Sequence, residues 1–192
     1  VRDGSVVSTF GVIAPVKQTE KVILAFAKVA RSRPDARLQV VGPLLGRGER
    51  KRYQGLARSL GVGGQVDVTG AVAEEEFHAA IARTSVAVQL RAASNGESSA
   101  TVAHCLSAGV PTIVTALGSA AELPDDCVVK VDVDVDPPEL ARVIDGLLAD
   151  GQRRLALEQA GQEYAAARSF SRAAQELYGI LVGMDVRAGR AA

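Results

Sequence analysis

Residues able to do chemistry concentrate between Arg91 and Glu122. Gly96-Glu97-Ser98-Ser99 opens an apolar helical stretch directly after a strand-like run that ends at Arg91. Small residues there let a ligand approach the backbone. Free N–H groups at a helix N-terminus attract phosphate, and the serines add hydroxyl donors. The same residues would serve an ordinary capped helix start, because Ser is a preferred cap. The place of the turn after a strand in an alternating β-α pattern favours a ligand. Glu97 repels phosphate, so its functional use would be to accept hydrogen bonds from sugar hydroxyls. Its structural use would be to face the positive end of the helix dipole.

A second turn, Gly11-Val-Ile-Ala-Pro-Val-Lys17, follows the first strand-like run. Glycine permits a tight turn beside a pyrophosphate and Lys17 can neutralise it. It is neither Gly-x-Gly-x-x-Gly nor a Walker loop, and a plain strand-helix connection has the same look. Arg91 can clamp phosphate or pair with a nearby acid. The stretch from Gly42 to Gly48 is expected to be a flexible linker. His78 and His104 are the only histidines; His78 is expected on an exposed polar helix face and His104 inside the helix after the serine turn. With no acidic partner evident in sequence, they do not compose a general base or a metal site. Asp132, Asp134 and Asp136 alternate with valines, as on the solvated face of an edge strand, and no metal site is expected.

Composition narrows the classes. The chain has 192 residues, 47% hydrophobic and 23% charged, as in an ordinary soluble domain. Its formal net charge is +0, so no global field draws it to nucleic acid. Cys105 and Cys127 are expected to be buried, reduced thiols rather than a disulfide framework. No secretory leader and no run of 18 apolar residues is evident, so a cytoplasmic setting is expected. The chain begins at Val1 rather than Met, as a fragment would.

These residues need elements to position them, and strand and helix patterns alternate. Strands are expected at 5–10, 37–41, 65–69, 85–90, 111–115 and 127–131, and helices at 20–33, 49–60, 74–83 and 98–108. Near-continuous apolar strands in strict alternation imply a Rossmann-like α/β fold, with about six parallel strands and helices on both faces. Ligands of such sheets bind at the carboxyl ends of the strands. From Pro137 onward the pattern is helical only, with a second helix near 152–168 and a third after Ser171 as N-cap. One domain is expected over 1–185, with a frayed tail at 186–192.

The whole pattern resembles the C-terminal, donor-nucleotide domain of retaining glycosyltransferases of group 1, which have the GT-B fold. Phe10-Gly11 through Lys17 is similar to the family's opening strand and turn. Val40-Val-Gly42, Val68-Thr-Gly70 and Ala87-Val-Gln-Leu-Arg91 follow in order. Gly109-Val-Pro111, Gly118-x-x-x-Glu122 and Phe170-Ser171 match its later marks. Three positions depart: Val12 stands where the family usually has Arg, Gln18 where it has Gly, and His104 or Cys105 where the second Glu of Glu-x7-Glu would hold ribose.

The resemblance implies transfer of a sugar from a nucleoside diphosphate sugar, the substrate, with no cofactor and no metal. Glu97 is the implied catalytic residue. Gly11, Lys17, Arg91, Gly96, Ser98, Ser99, His104, Gly118 and Glu122 are the implied donor-binding set. The acceptor and the N-terminal GT-B domain that binds it are expected outside this chain, and any peripheral membrane contact would come through that half. Two alternatives share the fold: a non-catalytic sugar-nucleotide binding or regulatory module, and a GT-B sugar-nucleotide epimerase.

Overall fold

A computed structural model describes residues 5–188 of the chain. The strands are β1 (Val6–Phe10), β2 (Arg37–Val41), β3 (Val66–Gly70), β4 (Val86–Gln89), β5 (Thr112–Thr115) and β6 (Val129–Val131). Between and after them run α1 (Thr19–Ser32), α2 (Glu49–Ser59), α3 (Glu74–Arg83), α4 (Ala100–Ser107), α5 (Pro137–Ala149), α6 (Gly151–Ala167) and α7 (Phe170–Ala188). All six strands pair in parallel, in the order β3-β2-β1-β4-β5-β6. This is the expected Rossmann-like sheet.

Alternation along the strands sorts side chains onto two faces. Val7, Val40, Val86, Val88 and Ile113 point to one core, with Phe26 of α1, Tyr53 of α2 and Ile144 of α5. Phe10, Val41 and Ala87 point the other way, against Ile81 of α3 and Cys105 of α4. Val114 continues that second side with Val102 and Leu106 of α4 and Ala160 and Tyr164 of α6. Phe26 and Ile144 are fully buried. Truncating either to alanine would cost about 3–4 kcal/mol.

Helix ends follow local chemistry. Asp136 Oδ1 accepts from Glu139 N at 2.7 Å and caps α5, with Pro137 in the first turn. Asp136 is therefore a helix cap and not part of a strand face, because β6 stops at Val131. Ser169, not Ser171, caps the last helix: its Oγ accepts from Arg172 N at 3.3 Å. The helix expected over 98–108 starts only at Ala100, since Ser99 keeps an extended backbone as its N-cap. The tail expected over 186–192 includes the last turn of α7 and residues 189–192, which lie outside the described residues.

Parallel order reverses between β1 and β4, whose backbone register is short: Val7 faces Val86 and Ser8 faces Ala87. Beyond it the Gln89 side chain completes the join. With its amide oriented to satisfy both partners, it accepts from Phe10 N at 3.0 Å and donates to Phe10 O at 3.1 Å. The crevice past the carboxyl ends of these two strands is where an open parallel sheet binds ligands.

Candidate functional site

The crevice is floored by Gly11, at φ +102°, immediately after β1. Its N–H donates to Val41 O at 3.0 Å, and Gly42 packs so closely that a Cβ on it would strike the Gly11 carbonyl. The next residues are also tied: Ile13 N donates to Pro43 O at 2.7 Å and Leu45 N to Ile13 O at 3.2 Å. The start of the loop expected as a flexible linker is thus a hydrogen-bonded buttress for the Gly11 turn. A one-turn 3-10 helix, Pro15–Lys17, then delivers Lys17, and Gln18 takes a left-handed backbone at φ +50° before α1 begins.

Three charges meet over this floor. Lys17 Nζ lies 3.9 Å from where a Gly11 Cβ would be. Burial holds the Lys17 ammonium below its usual value; the Arg91 guanidinium pushes the same way and the Glu97 carboxylate opposes both. Arg91 Nη1 is paired with Glu97 Oε1. Of the two uses open to Arg91, pairing with an acid is the one the structure shows. The other carboxylate oxygen, Oε2, accepts from Asn95 N at 2.8 Å. Backbone hydrogen bonds from Glu97 itself and from Asn95 hold this carboxyl below the usual carboxylate range, with Arg91 adding to the effect. Arg91 is fixed from below, where its N–H donates to Thr115 Oγ1 at 2.9 Å, and Ala92 N donates to Val16 O at 2.8 Å. The β4 loop is thereby tied to the Lys17 turn.

The start of α4 closes the third side. Ser99 Oγ accepts from Val102 N at 3.4 Å and lies 3.1 Å from Thr101 Oγ1. The Thr101 side chain reaches Gly11, with Cγ2 3.0 Å from a Gly11 Cβ position. A β-carbon at residue 11 would need both a strained backbone and displacement of Thr101. Gly96, at φ +87°, supplies the reversal that brings Glu97 back onto Arg91.

The remaining expected residues separate into two further places. Ser98, Ser99 and Glu122 line a cavity of about 620 Å³ between α4, the turn at Gly118–Ala120 and the end of α6, where Arg168 stacks over the Tyr164 ring at 4.0 Å. Gly118 touches the glycine loop from that side: a Cβ on it would strike Ser94 Oγ, while Ser119 Oγ donates to Glu97 O at 2.9 Å. His104 is exposed on α4. Its ring centroid is 5.7 Å from Phe77 and 5.9 Å from His78, and Phe77 rests edge-on against Phe10. The two histidines, isolated in sequence, are therefore neighbours, with Glu74 Oε1 3.8 Å from His78. Among the described residues no three His, Cys, Asp or Glu side chains gather as metal ligands. Both cysteines are buried and neither forms a disulfide, and burial pushes the Cys127 thiol up to about 11.

Sequence reasoning missed Thr101, Gln89, Ser94 and Ser119. A polar Gln89 inside an apolar strand was the available signal, since a buried amide must have partners. Contacts of Ser94 and Ser119 depend on the fold bringing residues 94–99 against 118–119, which no local pattern encodes.

The geometry has known counterparts. No protein with a curated description matches the chain in sequence. Among solved structures it is similar to HepE from Anabaena in complex with UDP and glucose, with a TM-score of 0.78 and 20% identity over 93% of this chain and 48% of that one. It is similar to the C-terminal domain of LpcC, a group 1 family glycosyl transferase from Francisella tularensis, with a TM-score of 0.74 and 19% identity over 85% of each chain. A sucrose-phosphate synthase from Thermosynechococcus elongatus gives a TM-score of 0.77 at 24% identity over 96% of this chain and 46% of its own. The chain thus spans about half the length of HepE, at 48%. At these identities the likeness establishes the fold. The family rests on a sequence model, glycosyl transferases group 1, that matches residues 2–164. With that match over most of its length, the chain belongs to the group 1 glycosyl transferases.

Proposed function

We propose that this chain is the donor-nucleotide domain of a retaining hexosyltransferase. It would bind a nucleoside diphosphate sugar, and a second domain would hold the acceptor. The observation that carries the reading is the convergence of Lys17, Arg91 and the α4 start on the Gly11 floor at the β1/β4 crevice. Two cations less one carboxylate leave a net positive charge where a diphosphate would lie. Lys17 and Arg91 offset its charge, which makes a metal unnecessary in this reading. Glu97 stands at the mouth of the site, where its carboxylate accepts hydroxyl hydrogen bonds from the sugar. Ser98, Ser99 and Glu122 line the adjoining cavity and Gly118 shapes its wall. His104 or Cys105 stands where the family's ribose-binding Glu is expected.

HepE was crystallised with UDP and with UDP-glucose, which supports a nucleotide sugar as the ligand class here. No helix among the described residues is long and apolar enough to cross a membrane. A cytoplasmic setting, where nucleotide sugars are made, suits this reading. The test is turnover by the enzyme joined to its acceptor half, with proton NMR of the product. Transfer with the donor's anomeric configuration kept is expected; inverted product contradicts the retaining assignment. Val12, and His104 or Cys105, at positions where the family has Arg and Glu favour a second reading, a binding module without turnover. Tight diphosphate binding with no transfer to any acceptor would select it.

A further inference from the structure

We propose that Thr101 is a further diphosphate-binding residue and that Gln89 positions it, an inference that rests on the donor site proposed above. Thr101 is the second residue of α4, with its side chain against Gly11 and on the same point as Lys17 Nζ. Behind it lies the Gln89 amide, 4% exposed and locked by the Phe10 backbone. In the orientation that satisfies Phe10, the amide atom 3.4 Å from Thr101 Oγ1 is the nitrogen. Its second hydrogen therefore points to the threonine oxygen, which accepts.

A proton count limits what the two hydroxyls can offer a ligand. Ser99 Oγ accepts from Val102 N, and Thr101 Oγ1 accepts from the Gln89 amide. The two hydroxyls are 3.1 Å apart, so one proton fills the bond between them. The other proton is left over. Both oxygens already accept from the protein, so the pair presents a spare donor and little acceptor capacity. A pair with a spare hydroxyl proton beside an ammonium suits an anionic oxygen. Gln89 contributes twice: it joins β1 to β4 at the crevice and fills one acceptor site of Thr101, which leaves the pair's spare proton for a ligand. It touches no ligand and acts through Thr101.

Calorimetric titration of the chain with UDP, inorganic pyrophosphate and uridine tests this. Thr101→Val should weaken UDP and pyrophosphate by about 10-fold and leave uridine unchanged. Thr101→Ser, which keeps the hydroxyl, should stay within about threefold of the parent; if the valine variant does not fold, Thr101→Ala takes its place. Gln89→Leu should weaken UDP in the parent and add nothing on top of Thr101→Val. Diphosphate binding by Thr101→Val within twofold of the parent, or losses from the two residues that simply add, would overturn the proposal. If that happens while Lys17→Ala still loses affinity, the donor site stands and Thr101 alone is wrong. If the parent binds no UDP, GDP, ADP or pyrophosphate, the donor site itself fails and this proposal goes with it.

Discussion

The carboxylate of Glu97 occupies the guanidinium of Arg91, six residues back along the chain. A diphosphate entering the crevice meets an arginine already paired with an acid. Binding must therefore either exchange one anion for another or add to a shared pair. The carboxylate does not swing freely, because Asn95 N–H and its own backbone hold it. Its negative charge offsets part of the positive charge of Lys17 and Arg91.

Removing that charge separates the two roles of Glu97. Glu97→Gln keeps the shape and frees Arg91. Affinity for a sugar-free nucleoside diphosphate should rise by about threefold, the scale of one unit charge at short range in water. Turnover with the donor sugar should fall by 100-fold or more, the scale of a lost transition-state contact. Parallel titration and rate measurements on the chain joined to the proposed acceptor domain check both. Unchanged turnover would make Glu97 a loop residue only.

Lys17 sets function against stability. Its ammonium is disfavoured by burial and by Arg91, so the folded protein holds that proton less tightly than the unfolded chain, where the usual value is 10.5. The folded-state value is lowered, so the protonated lysine lowers stability at neutral pH. That penalty fades as pH rises through the folded-state value towards 10.5. Lys17→Met should raise the melting temperature of the unliganded chain at pH 7, with a gain that shrinks in alkaline buffer. It should also weaken nucleoside diphosphate binding by about 10-fold or more, as loss of a charge-assisted contact requires. A lower melting temperature at pH 7 would contradict this account of the charge cluster.

Gln18 and Gly42 test the backbone of the Gly11 turn in opposite directions. Gln18 is the sole non-glycine residue with positive φ among the described residues. Replacing it with Gly removes a cost of about 1 kcal/mol, offset in part by the freer unfolded chain. Gln18→Gly should be neutral to mildly stabilising and leave ligand binding in place. Gly42→Ala should cost about 2–4 kcal/mol, because its Cβ meets the Gly11 carbonyl and its φ is +140°. Denaturant melts of both variants provide the comparison. A stable Gly42→Ala variant that still binds diphosphate would remove the buttress from the site.

Much of this was legible in the sequence because periodicity reports packing. Val22, Ile23 and Phe26 at helical spacing and the valine runs of β1 to β5 gave the layers, and β-α alternation implied the parallel order. Gly11, Lys17, Arg91 and Glu97 could be named because glycines and charges stand out at the ends of apolar strands. What stayed hidden depends on long-range approach. The pairing of His104 with His78 joins α4 to α3 across the sheet surface. The contact of Gly42 with Gly11 joins two loops that alternation alone reads as separate. Ser98 and Ser99 looked equivalent by residue type, yet only Ser99 caps α4. A cap depends on one residue's backbone angles, and two adjacent serines give no sign of which will adopt them.

Binding of a sugar nucleotide's diphosphate in the β1/β4 crevice is checked by calorimetric titration of the chain with UDP, GDP and ADP, each beside its nucleoside, for the parent and for Lys17→Ala. At least one diphosphate should bind at millimolar concentration or below and at least about 10-fold more tightly than its nucleoside, with that advantage lost in Lys17→Ala. No heat from any of the three diphosphates at millimolar concentration, or equal losses for diphosphate and nucleoside in the variant, would contradict it.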